Sequence, residues 1–147
     1  MIRPLPKLFP SLRGVLDPPP AAASSTGSLG RWGERAAARH LQAKGYRVLS
    51  RNHRTGIGEA DLICLAPDRR THVLVEVKTR RDGDEQPRQR RPEAAITAHK
   101  ARKLRQLVET IARSNKRTDA PWRIDVVAVR VSPGGVEIDH HERAVTG

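Results

Sequence analysis

Residues 58–63 read Gly58-Glu59-Ala60-Asp61-Leu62-Ile63, and residues 73–80 read Val73-Leu74-Val75-Glu76-Val77-Lys78-Thr79-Arg80. Both runs are short, the second is rich in β-branched residues, and Pro67-Asp68-Arg69-Arg70 between them supplies a turn. They predict a hairpin of strands 57–65 and 72–80. A turn centred between Asp68 and Arg69 sets Ile63 opposite Leu74, Asp61 opposite Glu76 and Glu59 opposite Lys78. The other face then pairs Ala60 with Val77, Leu62 with Val75 and Cys64 with Val73. That second face is wholly apolar, and a slip of one residue would mix the two faces.

The first face carries the chemistry. Directly opposed side chains have Cβ atoms about 4.5–5.5 Å apart, and like charges there destabilise the pair. Asp61 facing Glu76 therefore calls for a raised carboxyl pKa or a cation between them. Oxygen ligands in a compact pair suit Mg2+ or Mn2+. Lys78 lies two residues past Glu76, roughly 6.6 Å along the same face, within reach of the site or of Glu59. A cation held there would polarise a phosphoryl oxygen and acidify water. The plain alternative is a solvent-facing strand with a charge at every second position.

Outward from the hairpin, residues 29–44 predict an Ala-rich helix stopped by Gly45. Residues 46–54 predict a strand ended by Thr55-Gly56. A second helix is expected over 92–115, with Pro92 in its first turn and Ala101, Leu104, Val108 and Ile111 as its apolar stripe. Residues 122–131 and 136–140 predict two last strands around Pro133-Gly134-Gly135. The order α-β-β-β-α-β-β implies an α/β fold, a mixed central sheet flanked by helices. Residues 1–27, rich in Pro, Ala, Ser and Gly, read as a disordered arm. Residues 28–141 form the domain and 142–147 a tail, and the charged stretch 81–92 reads as a loop.

The 147 residues suffice for one domain with its own core, and the net charge of +12 attracts polyanions. Aromatic residues are 3% of the chain, too few and too scattered for a base-stacking single-strand binder. The one cysteine, Cys64, rules out an internal disulfide and a Cys-based zinc site. It reads as a buried apolar residue. No run approaches the ~20 apolar residues of a membrane span, and no apolar signal core is visible, so the cytoplasm is the expected location without a membrane partner. The six histidines show no i, i+4 pair, and none is assigned to metal. Phosphate-binding glycine loops and G-x-S-x-G are missing from the sequence.

Gly58 to Ile63 with Val75-Glu76-Val77-Lys78-Thr79-Arg80 resembles the YraN-like family of uncharacterised bacterial proteins. Gly30-Arg31-Trp32-Gly33-Glu34, Ala37, Leu41, Gly45-Tyr46, Arg51-Asn52, Lys100 and Arg102-Lys103-Leu104 fit the same pattern, over residues 28–131. That family is similar to the restriction-endonuclease-like superfamily, in particular its Holliday junction resolvases. The resemblance implies a restriction-endonuclease-like core and a site of Glu34, Asp61, Glu76 and Lys78, with Asp61, Glu76 and Glu34 toward the metal. Ala60 stands where the superfamily often has Pro. Without the resemblance, Glu34 is a glutamate at a helix start and nothing more.

The expected function is metal-dependent, endonuclease-type phosphodiester hydrolysis, with DNA favoured and Mg2+ or Mn2+ as cofactor. Arg80, Lys100 and Lys103 are the expected phosphate contacts, and the resolvase likeness implies a homodimer. The alternative is a non-catalytic nucleic-acid-binding module that keeps the fold.

Overall fold

A computed structural model describes residues 17–21, 26–83 and 95–145. The elements are α1 (Thr26–Ala43), β1 (Arg47–Thr55), β2 (Gly58–Leu65), β3 (His72–Arg81), α2 (Ala98–Ser114), β4 (Trp122–Ser132) and β5 (Gly135–His141). They form one mixed sheet in the order β1-β2-β3-β4-β5. Every pairing is antiparallel except β3 with β4. Parallel neighbours need a crossover, and α2 is that crossover. The expected α/β class and element order hold.

Each helix covers one face. On α1, Ala36, Ala37 and Ala38 are fully buried, and Trp32 and Leu41 join Leu62, Cys64, Val73, Val75, Val127 and Val129 in one core. On the other face Leu104, Leu107 and Ile111 of α2 pack with Ala60, Ile63, Leu74 and Ile124. Burial of Cys64 pushes its thiol pKa up to about 12, which fits an inert core residue.

Local chemistry sets the ends. Gly45, at φ 93°, closes α1: its N–H reaches the Gln42 carbonyl at 3.0 Å and the Tyr46 N–H reaches the Leu41 carbonyl at 3.0 Å. That pair of bonds is a Schellman cap, and glycine meets its left-handed backbone without a Cβ penalty. The start of α1 at Thr26 is three residues earlier than expected. Helix α2 begins at Ala98, not at Pro92, because Thr97 is extended and its side chain caps the Lys100 N–H at 3.1 Å. Pro92 and most of the charged stretch lie outside the described residues, as does residues 1–16 of the arm. Residues 17–21 lie against the domain, where the Asp17 carbonyl accepts from Trp32 Nε1 at 2.7 Å and the Pro20 carbonyl accepts from Arg81.

The hairpin holds its expected register from Leu62↔Val75 to Leu65↔His72. Asp68 ties the turn by accepting the Arg70 and Thr71 N–H groups at 2.8 and 2.9 Å. Beyond Leu62 the expected pairs Asp61–Glu76, Ala60–Val77 and Glu59–Lys78 are not made. Asp61 Oδ2 instead accepts the Val77 N–H at 2.8 Å, so a side chain replaces the backbone acceptor and the strands part. Glu59 pairs with Arg54 at 3.5 Å. Ala60 packs with the α2 core rather than with Leu62 and Cys64. The β1–β2 ladder also skips Asp61: Arg51↔Leu62 and His53↔Ala60 pair on either side, and Asn52, opposite it, has φ 49°. A regular ladder would hold two carboxylates face to face; the fork relieves that and turns Asp61 into a cleft. Among the described residues no helix is long and apolar enough to cross a membrane.

Candidate active site

The fork between β2 and β3 opens a cleft of about 470 Å3 whose lining includes Gly30 and Glu34 of α1, Asp61 of β2, and Glu76, Val77, Thr79 and Arg80 of β3. Three elements thus bring three carboxylates to one place. Glu34 arrives there because α1 lies against β3 at Gly33. A Cβ on Gly33 would stand 1.8 Å from Thr79 Oγ1, so only glycine allows this approach.

The carboxylates feel each other. Burial and then the Glu76 charge push the Asp61 carboxyl up to about 7, against the opposing pull of the Val77 N–H. Burial also raises Glu34, with smaller contributions from Glu59 and Glu76, while a hydrogen bond with Asn52 draws it back. Asn52 is the residue held in the left-handed region, where asparagine is tolerated better than most. Its side chain fixes Glu34, so the distortion in β1 serves the cleft.

One lysine balances part of this charge. Lys100 Nζ lies 3.1 Å from Glu76 Oε1, so a residue expected to meet phosphate meets a carboxylate. The Lys78 ammonium donates to the Ala95 carbonyl at 2.6 Å, and Lys78 is not among the residues that line the cleft. The Lys103 side chain runs past Gly58 at the β1–β2 turn, with Cε 3.4 Å from where a Cβ would be. Arg80 lies at the cleft itself. The structure therefore unites Glu34, Asp61, Glu76 and Arg80, with Lys100 joined through Glu76.

An all-oxygen donor set suits a hard divalent cation that retains several waters. Among the described residues no three His, Cys, Asp or Glu side chains stand together in an arrangement that could hold a metal ion. Sequence reasoning missed Asn52 as a holder of Glu34. The signals available were its place in the family pattern, Arg51-Asn52, and its residue type, which accepts φ > 0, inside a predicted strand.

A second polar cluster also went unread. Asp125 on β4 is fully buried. It takes His140 Nε2 at 2.7 Å, Arg123 Nε at 3.0 Å and the Arg143 N–H at 3.1 Å. Arg123 also donates to the Tyr46 hydroxyl, and Lys44 Nζ meets His140 Nδ1 at 2.7 Å. Burial alone would raise the Asp125 pKa, but His140 and Arg123 outweigh it and hold the carboxyl below the usual range. The cluster ties β4 and β5 to the end of α1.

The model of a family described as "Uncharacterised protein family UPF0102" matches residues 33–129. A UPF0102 protein of Syntrophomonas wolfei is 40% identical over 112 residues, covering 76% of this chain and 92% of that one. A UPF0102 protein of Streptomyces coelicolor is 39% identical over 127 residues, covering 85% and 93%. Among solved structures, Pyrococcus furiosus SfsA in complex with Ca2+ shares 12% identity at a TM-score of 0.36. That likeness spans 76% of this chain and 63% of that one.

Proposed function

This chain belongs to the UPF0102 family, and on that premise we propose a nucleic-acid-binding protein whose cleft hydrolyses phosphodiester bonds. The reading is of an endonuclease-type enzyme, with DNA the favoured polymer and Mg2+ or Mn2+ the cofactor. The observation that carries it is the convergence of Glu34, Asp61 and Glu76 on one cleft, with the Asp61 carboxyl pushed up to about 7.

Asp61 and Glu76 would hold the cation, with Glu34 reaching it directly or through water. When bound, the ion would supply charge against the phosphoryl oxygen and a more acidic water. The chain's own residues do the rest. Asn52 orients Glu34, the Val77 N–H fixes Asp61 Oδ2, and Arg80 offers a planar fork to a phosphate at the cleft.

Full-length protein with linear, flapped and four-way DNA, and with RNA, in Mg2+ or Mn2+, tests the reading. Metal-dependent cutting is expected, lost in Glu76→Gln while binding persists. No cutting of any substrate with either metal sinks the enzymatic form. One observation favours the non-catalytic alternative: Lys100 already neutralises Glu76 at 3.1 Å. That alternative predicts salt-sensitive binding with or without metal, and a cellular role that survives Asp61→Asn.

A further inference from the structure

Glu34 borders a second recess, of about 100 Å3, walled by α1 and by strands β1 and β2. Its other walls are Arg31 and Arg35 of α1, Arg51 and Asn52 of β1, and Leu62. The recess is much smaller than the cleft of about 470 Å3 beside it. Arg31 and Arg35 are one helical turn apart on the exposed side of α1, and Arg51 is exposed on edge strand β1. Two elements thus bring three arginines to the walls of one recess, together with Glu34, which feels the Arg31 charge and is tied to Asn52. The arginines do not bury against the core, where the same helix is alanine and tryptophan. Three arginines outnumber the one carboxylate in this recess, and planar guanidinium forks match phosphate oxygens in pairs.

We propose that Arg31, Arg35 and Arg51 form a phosphate subsite, which holds the nucleic-acid backbone next to the carboxylate cleft. This rests on the nucleic-acid reading above and adds which side of the cleft the strand takes. Because Glu34 lines both recesses, a phosphodiester chain lying on the arginines continues into the cleft past Glu34. The strand therefore crosses the α1–β1 side, whereas Lys100, on α2, is bound to Glu76. The recognised group is a backbone phosphate, common to DNA and RNA.

The test is the salt dependence of full-length protein binding to a short DNA duplex and to the RNA duplex of the same sequence. Four proteins are compared between about 50 and about 200 mM salt: wild type, R31Q/R35Q/R51Q, its lysine counterpart R31K/R35K/R51K, and a control that removes the same charge elsewhere, R70Q/R113Q/R117Q. All six positions are exposed, and thermal melts check that the variants fold. Each phosphate contact contributes about 0.9 to the slope of log affinity against log salt. The first triple should lose roughly 2–3 from that slope and bind more than tenfold more weakly at the lower salt. The control should keep most of the slope, and R31K/R35K/R51K should restore most of the loss. A larger loss with one duplex than with the other identifies the polymer and supports the subsite. Equal losses in the two glutamine triples overturn it, leaving nucleic-acid binding intact. If wild type binds neither duplex, the nucleic-acid reading fails and the subsite fails with it.

Discussion

Gly33 of α1 and Thr79 of β3 meet so closely that a Cβ on Gly33 would stand 1.8 Å from Thr79 Oγ1 and 2.8 Å from Thr79 Cβ. The next residue along α1 is Glu34, so this contact sets how far Glu34 reaches into the cleft. Gly33→Ala should push α1 off the sheet and cost about 1–3 kcal/mol, as overpacking does. Thr79→Ala removes the nearest atom but leaves Thr79's Cβ position crowded, so the double variant should recover only part of the loss. Denaturant melts of the four proteins give the coupling. Additive losses would show that the contact does not set the helix position.

Asp61 gives the protein a pH dependence of unusual sign for a carboxylate. Its ordinary value is 3.8, and in the fold it is pushed up to about 7. Between those values the folded protein binds the proton more tightly than the unfolded chain. The stabilisation it brings is complete below pH 3.8 and is lost as pH rises through about 7. Asp61→Asn should therefore gain on wild type from about pH 4 to about pH 7 and stay level above, by about 1–3 kcal/mol. Parallel melts of the two proteins across pH would show it; a gap that does not change with pH removes the physical argument for a strained cluster.

Lys100 competes for the same carboxylate that the proposed cation needs. It lies 3.1 Å from Glu76 Oε1 and lowers the Asp61 pKa. Lys100→Gln should leave the cleft more negative, raise the Asp61 pKa further and tighten Mg2+ or Mn2+ binding several-fold. Calorimetric titration of wild type, Lys100→Gln and Asp61→Asn reads this directly, with binding abolished in the last. If Lys100→Gln weakens the metal instead, the lysine belongs to the site as a partner and not as a rival.

The hairpin shows where sequence reasoning ends. Leu62 to Leu65 and Val73 to Val75 carry an apolar pattern strong enough to fix their register. At Asp61 the pattern gives out. Strand period extrapolates an even ladder, whereas the Val77 N–H prefers a carboxylate side chain and the strands fork. A fork depends on three strands at once, including the left-handed Asn52 on β1, and nothing local to β2 announces it. Lys78 illustrates the same limit: period places it on the Glu76 side, but its long chain finds the Ala95 carbonyl. Glu34 came only through resemblance, because the contact that delivers it is between residues 46 positions apart in sequence. The basic helix was legible as charge, while the pairing of Lys100 with Glu76 was not.

Asp125 was invisible for a related reason: one carboxylate amid Val126 to Val129 says nothing of its partners on β5 and beyond. In the fold it is fully buried and bonded to His140, Arg123 and the Arg143 backbone. A buried charge stripped of its main partner is expensive, so Asp125→Ala should destabilise by about 3–5 kcal/mol, since Arg123 would keep only Tyr46 and the more exposed Glu142 at 3.7 Å. His140→Gln should cost less, because Arg123 and the Arg143 N–H still satisfy the carboxylate. Held below the ordinary range, Asp125 adds stability that is present above about pH 4 and is lost as pH falls through its folded value. That is opposite in sign to Asp61, so the two sites separate in a stability–pH curve. The acid limb should shrink in Asp125→Asn, leaving the part that Asp68 brings through its turn hydrogen bonds, and persist in full in Asp61→Asn. Because none of the cluster's residues lines the cleft, binding of nucleic acid below the melting temperature should survive Asp125→Asn. Loss of binding by a variant that remains folded would place this cluster in the recognition surface rather than in the frame beneath it.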